Sequence, residues 1–469
     1  MRYICFMFKS AMLLLVTLAL TARGYAETPT VQVLNQWIVA INSGDAAKMT
    51  AFWQKYSHGS TDEHVANDKR LGAMTGGFTL VKVVQDDGSS LVAVLKEGRG
   101  LYSELDLDFE SVNPPLIKSI HGHPVHDPSD VVSNTPSKTA ANDRELVSLV
   151  ESHVTDPAAS NTFSGAVLIA HRGEIVLDRA WGMADREKQI KNTVDTQFCI
   201  GSMNKMFTSV AILQLVQQGK LSLDGSIKDY WPDYPNHDLA SRVKIRQLLS
   251  HTAGTGDFFT PEYEARRLET RKLADYVTLF GNRALAFEPG SRMEYSNYGF
   301  ILLGRLIEIV SGESYDDYVQ KHIFIPAGMN HTESLPETDH VAGRAVGYTK
   351  ASSGLQPNTS TLPWSGTSAG GGYSTVKDLL HFAEALQSGK LLDPVLLQQA
   401  TTDQTHTGYG FGFYVLGDGA YGHGGGASGV NGELHILPKQ GYVIVALANR
   451  DPFTATDMEK FAESILPRS

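Results

Sequence analysis

A serine hydroxyl becomes a strong nucleophile when a base stands ready to take its proton. The segment Gly201-Ser202-Met203-Asn204-Lys205 offers that pairing, and the apolar run Met206 to Leu213 follows directly. A spacing of three at a helix start puts Ser202 and Lys205 on one face, a turn apart. Apolar surroundings lower an amine's pKa toward that of a useful base. The Ser202 N–H lies at the positive end of the same helix, where an oxyanion is stabilised. Ser-x-x-Lys also recurs by chance, and a serine there can be a plain helix cap. A second match, Ser374-Thr375-Val376-Lys377, opens another helix with Thr375 and Asp378 as a capping pair. Order separates the two matches. Tyr295-Ser296-Asn297 and His423-Gly424-Gly425 follow Ser202, whereas no Tyr-x-Asn follows Ser374. Another Tyr-x-Asn, Tyr234-Pro235-Asn236, sits in a proline-containing loop and reads as turn chemistry. Gly366-Thr367-Ser368-Ala369-Gly370 has the nucleophile-elbow pattern, but Pro363-Trp364-Ser365 precedes it where a strand is required.

These residues need a scaffold, and the pattern predicts an α+β chain in two parts. In the first, Val33, Leu34, Trp37, Ile38 and Ile41 stand at helical spacing, and Asp45 caps a second helix carrying Met49, Phe52, Trp53 and Tyr56. The period then changes to that of strands at 78–84, 91–95, 102–109 and 116–120, with 122–128 expected as an exit loop. Residues 127–143, rich in Pro, Ser, Thr, Asn and Asp, read as a linker. In the second part, hairpins are expected at 164–181 around Arg172-Gly173 and at 433–448 around Lys439 to Gly441, with a closing helix at 457–466. Helices over 206–219 and 298–311 lie between them. Strands at both ends with helices between predict one antiparallel sheet built from both ends of the domain, with helices packed on it.

The region from about Ser164 onward resembles the serine β-lactamase-like superfamily, in its class C β-lactamase, D,D-carboxypeptidase and family VIII esterase branch. The family's S-x-x-K, Y-x-N and K/H-x-G motifs match Ser202 to Lys205, Tyr295 to Asn297 and His423 to Gly425. The phrases Leu248 to Gly254, Pro289-Gly290, Pro326 to Met329 and Gly370 to Thr375 agree with it. The resemblance implies acyl transfer through a covalent serine intermediate, with Ser202 as nucleophile and Lys205 and Tyr295 sharing the proton traffic. It implies that Asn297 bonds substrate or Lys205, and that the Ser202 and Gly426 N–H groups form an oxyanion hole beside His423 and Gly425. A tyrosine near a lysine cation is expected to have a lowered pKa. Two helices followed by a curled sheet, with the phrase Ala40 to Asp45, resemble NTF2-like or cystatin-like domains over 27–126.

His423 departs from the lysine form of the third motif. A neutral imidazole adds no charge to hold a substrate carboxylate, which favours an esterase, amidase or D-amino-acid peptidase over a dedicated β-lactamase. A D,D-carboxypeptidase or weak β-lactamase remains as an alternative, and a non-catalytic penicillin-binding scaffold is the alternative of another class. Serine, lysine and tyrosine supply the chemistry, so no metal or organic cofactor is expected. His121, His123 and His126 invite a metal reading, but no Cys or carboxylate completes the set at ligand spacing. Cys199, in an apolar run, is expected to be a buried, inert thiol.

The 469 residues carry 40 Lys and Arg against 51 Asp and Glu, and no basic run offsets that balance. Nucleic acid is therefore excluded as a partner; the expected partner is a small molecule or short peptide. Arg2 and Lys9, the apolar run Ala11 to Leu20 and Gly24-Tyr25-Ala26 form the order of a secretory signal over 1–26. The reading places the protein in the periplasm or outside the cell, with no integral membrane partner.

Overall fold

The computed structural model describes residues 28–58, 61–128, 139–155, 163–339 and 341–467. The expected signal segment and residues 129–138 of the expected linker lie outside these.

The first part opens with helices Pro29–Asn42 and Ala46–Tyr56. Thr28 and Asp45 cap them, each accepting a backbone N–H from the first turn. The apolar stripe of the first helix, with Trp37 and Ile41, is buried as its spacing requires. A third helix, Thr61–Thr75, is an addition to the expected order. Its sequence is mostly polar and carries no clean apolar stripe, which hid it. It docks instead through Asp68, which receives the indole N–H of Trp37 at 3.0 Å and of Trp53 at 2.7 Å. Burial pushes the Asp68 carboxyl up to about 6, against the two indole bonds that lower it.

The four strands Phe78–Asp86, Ser90–Glu97, Tyr102–Val112 and Pro115–Val125 form an antiparallel meander in chain order. The expected exit loop is corrected here. The fourth strand runs on to Val125, because His121 and His123 continue the ladder opposite Asp106 and Glu104. His126 turns away and stacks on Phe453 with centroids 4.3 Å apart.

The second part begins with helix Asp143–Thr155, capped by Asn142 and Glu145. Its six-stranded antiparallel sheet runs, edge to edge, Tyr414–Gly417, Ala420–Ala427, Val430–Leu437, Tyr442–Ala448, Gly165–His171 and Glu174–Trp181. The first and last long strands of the domain are therefore neighbours, with Ile444 opposite Ile169. Strands Gly165–His171 and Tyr442–Ala448 are buried along almost their whole length because both faces of the sheet are covered. Helices Asp143–Thr155 and Thr454–Ser464 cover one face. The other carries the main core, including helices Asn204–Gln217, Asn297–Ser311 and Val376–Gln387. Helix Asn204–Gln217 is buried on every side through its first ten residues. That central position takes Lys205 out of water. Among the described residues, no helix is long and apolar enough to cross a membrane.

Candidate active site

Ser202 sits in a single 3₁₀ turn, Gly201–Met203, that leads straight into the central helix. Gly201 has φ +53°, and the following strand segment approaches so closely that a Cβ on Gly425 would meet the Ile200 carbonyl oxygen at 2.0 Å. Two glycines at this crossing bring the backbone of Gly425-Gly426 against that of Ser202. Ser202 is half-buried and Gly426 exposed.

Lys205 is fully buried, one turn into the helix. Its Nζ lies 3.1 Å from Ser202 Oγ and 2.7 Å from Asn297 Oδ1, and it also donates to the carbonyl of Ala369. Burial brings the ammonium down to about 7, while the nearby Asp257 charge pulls it back up. A neutral amine has two N–H groups and one lone pair. Asn297 Oδ1 and Ala369 O accept the two N–H groups, which leaves the lone pair for the Ser202 hydroxyl. The same three partners satisfy all three donors of the ammonium, so it is the lowered pKa that makes the base form accessible near neutral pH.

Asn297 is the first residue of its helix, and Ser296 caps that helix by accepting the Gly299 N–H at 2.9 Å. The Asn297 Nδ2 donates to Asp257 Oδ2 at 2.8 Å, so the orientation that offers Oδ1 to Lys205 is fixed. Burial raises the Asp257 carboxyl, and its bonds to Asn297 and Phe258 lower it.

Tyr295 bonds Ser202 through its hydroxyl, yet its pKa is raised well above the usual value by burial. The expected lowering is corrected by geometry. Lys205 Nζ lies over the ring face, 4.7 Å from the centroid, and its charge is itself suppressed. Tyr295 is thus a protonated hydroxyl at the nucleophile.

His423 is fully buried and presents no atom to the cleft. Its Nδ1 donates to the Gly424 carbonyl at 2.6 Å, and its Nε2 faces the Tyr409 hydroxyl at 3.0 Å. The same hydroxyl lies 3.1 Å from His251 Nε2, and His251 Nδ1 accepts the Ser296 N–H at 3.1 Å. The backbone at both ends sets the proton positions. His251 donates to Tyr409, and Tyr409 donates to His423. Burial brings His423 down to about 3 and His251 well below its ordinary value, so both rings are neutral. The expectation of His423 as a substrate contact is corrected: it tethers the Gly424 to Gly426 strand to the Tyr295 to Asn297 segment.

The competing serines are placed in the core. Ser368 is fully buried, with Oγ lacking a hydrogen-bond partner beneath Gly304. Ser374 is also fully buried and bonds Thr332 at 2.8 Å, and Thr375 caps its helix. Tyr234 bonds Tyr298 at 3.1 Å and Asn236 caps a short helix. Burial pushes the Cys199 thiol up to about 12, which leaves no thiolate. Three functional positions escaped the sequence reading. Asp257 and Tyr409 belong to no motif there, and His251 was quoted only as part of a phrase.

An acyl-transfer constellation of this geometry, on an antiparallel sheet closed by both domain ends, defines a serine hydrolase of the β-lactamase-related type. The Beta-lactamase family model matches residues 150–465, and the chain belongs to that family. The chain is 30% identical over 331 residues to a putative penicillin-binding protein, PbpX, of Bacillus subtilis, covering 68% of this chain and 79% of that one. A penicillin-binding protein from Bacillus halodurans is similar in structure with TM-score 0.62 and 32% identity, covering 68% of this chain and 99% of the other. A D-stereospecific amidohydrolase from a Streptomyces species is similar with TM-score 0.56 and 25% identity, over 69% of this chain and 98% of the other.

Proposed function

We propose that this chain is an exported hydrolase that cleaves a small ester or amide, or a short peptide containing a D-amino acid, through an acyl-enzyme on Ser202. The observation that carries the reading is the buried Lys205 Nζ, held by Asn297 Oδ1 and the Ala369 carbonyl within 3.1 Å of Ser202 Oγ. Lys205 takes the hydroxyl proton as Oγ attacks the substrate carbonyl carbon. The N–H groups of Ser202 and Gly426 receive the oxyanion, a contribution worth about 10²–10³ in rate for each donor. The Tyr295 hydroxyl, bonded to Ser202, gives its proton to the leaving amine or alcohol as the tetrahedral centre collapses, and takes the serine proton back from Lys205, which is again a free base. Water then attacks the acyl carbon and gives a proton to Lys205; as the tetrahedral centre collapses and the Oγ–acyl bond breaks, Lys205 returns that proton to Ser202 Oγ and the acid departs.

Specificity is read from His423. A buried, neutral imidazole offers no cation for a substrate carboxylate at that position, so the preferred substrate is an amide or ester without a free carboxylate there. D,D-carboxypeptidase action and weak β-lactamase action are the competing substrates, kept in view by the names of the penicillin-binding relatives. Export rests on the order of residues in 1–26.

The test is intact-protein mass spectrometry after brief exposure to a fluorophosphonate, with peptide mapping of the adduct. One adduct on Ser202 is expected, absent in Ser202→Ala and present in Ser368→Ala and Ser374→Ala. A folded protein that forms no adduct, or forms it elsewhere, overturns the assignment. Rates on D-alanyl amides, short-chain esters and cephalosporins then separate the substrate classes, with the amides and esters expected to lead.

A further inference from the structure

Behind the oxyanion strand lies a cluster that the acyl-transfer chemistry does not use. His435 stands on strand Val430–Leu437, and helix Thr454–Ser464 packs across it. Glu459 and Glu463 are one turn apart on that helix and share a face. His435 Nδ1 is 2.8 Å from Glu459 Oε1 and 2.9 Å from Glu463 Oε2. One N–H cannot serve both. The hydrogen-bond geometry directs it to Glu463, and both carboxylate oxygens of Glu459 are buried without a hydrogen-bond partner. Glu459 is 0% exposed. A buried carboxylate left in this state carries a large desolvation cost unless a cation or proton joins it.

The remaining geometry is that of a ligand set. The ligand atoms of His435, Glu459 and Glu463 all lie within 4.8 Å of one another. The second ring nitrogen, Nε2, faces Glu433 Oε2 at 3.7 Å, and Thr456 Oγ1 holds Glu433 by a 2.7 Å bond. A carboxylate behind the far nitrogen is what orients a metal-binding imidazole. Three carboxylates thus surround one imidazole.

We propose that His435 Nδ1, Glu459 and Glu463 bind one divalent first-row metal ion, with Zn²⁺ as the preferred ion and Glu433 positioning the imidazole from behind. The imidazole disfavours Mg²⁺ and Ca²⁺, which take oxygen ligands. Three protein ligands leave a fourth position for water, on the side where the Glu463 side chain is 38% exposed. The ion clips the closing helix to the strand that pairs with Ala420–Ala427. A Cβ on Gly424 would meet Glu433 Oε2 at 2.6 Å, so the cluster also backs the strand carrying Gly425 and Gly426. Its role is structural, since Ser202 and Lys205 carry the reaction.

The test uses the full chain stripped with a chelator and titrated with Zn²⁺ by calorimetry, alongside thermal melts and the visible spectrum of the Co²⁺-loaded protein. One equivalent is expected, with a rise in Tm of several degrees at saturation. Glu463→Gln, at a half-exposed position that leaves the core filled, should weaken Zn²⁺ binding at least about tenfold and change the Co²⁺ spectrum. Glu433→Gln should weaken it about 10- to 100-fold, whereas His123→Ala, on the strand Pro115–Val125 of the first part, should change nothing. Absence of saturable binding, binding indifferent to Glu463→Gln, or binding lost instead in His123→Ala would each overturn the site.

Discussion

Asn297 is held by Asp257 at 2.8 Å through its amide nitrogen, and so turns its carbonyl oxygen to Lys205 at 2.7 Å. The carboxylate thus acts on the base twice, by fixing the amide and by its charge. The rate kcat/KM should rise with pH as Lys205 loses its proton, with an acid limb near pH 7. The Asp257 charge raises the Lys205 pKa. Asp257→Asn, which can still accept from Asn297, should therefore move the acid limb to lower pH. A pH–rate profile decides it; a limb that stays in place or moves upward contradicts the role given to Asp257.

Gly425→Ala should damage turnover while sparing the fold's secondary structure. The added methyl meets the Ile200 carbonyl oxygen at 2.0 Å, and the Ser202 and Gly426 donors must separate to admit it. A loss of about 10²–10³ in kcat is expected, read with far-UV circular dichroism as the control for folding. Wild-type kcat would remove the close crossing from the catalytic argument.

Tyr409→Phe removes the hydroxyl between two buried histidines, leaving His251 Nε2–H and His423 Nε2 without partners. Leaving such groups unsatisfied costs about 1–3 kcal/mol. Urea unfolding should show a loss in that range, and a change within about 0.5 kcal/mol, the level of an ordinary surface substitution, would show that the tether carries no weight.

Asp68→Asn tests the polar docking of the third helix. An asparagine can accept one indole N–H but points its own amide donor at the other, Trp37 or Trp53. A destabilisation of about 1–3 kcal/mol in the first part of the chain is expected, followed by tryptophan fluorescence during urea unfolding. An unchanged midpoint would mean that apolar contacts alone seat the helix.

The residues at the nucleophile were legible because a helix start fixes the Ser202 to Lys205 distance locally, and an ordered trio of motifs is hard to produce by chance. The sheet was legible for a similar reason: strands Gly165–His171 and Tyr442–Ala448 are apolar runs bounded by turn residues. Asp257 was not legible, because it belongs to no periodic element and reaches Asn297 only through the tertiary fold. His423 was found by motif but misread in orientation, since alternation in a glycine-rich strand does not reveal which face meets the cleft. The helix Thr61–Thr75 escaped because, among its described residues, only Val65 and Leu71 give it an apolar contact with the core, and a buried carboxylate, Asp68, supplies the rest of its docking.

The pairing of Gly165–His171 with Tyr442–Ala448 brings together segments roughly 280 residues apart in the chain. Such a long-range contact is slow to form, because the loop it closes must be ordered first. During synthesis the first strand waits for its partner until Tyr442–Ala448 has emerged. Reactivity toward a serine-directed probe thus reports that the late strand has paired: released chains truncated before Tyr442 should take up no fluorophosphonate, whereas chains that retain Tyr442–Ala448 and the helix Thr454–Ser464 should.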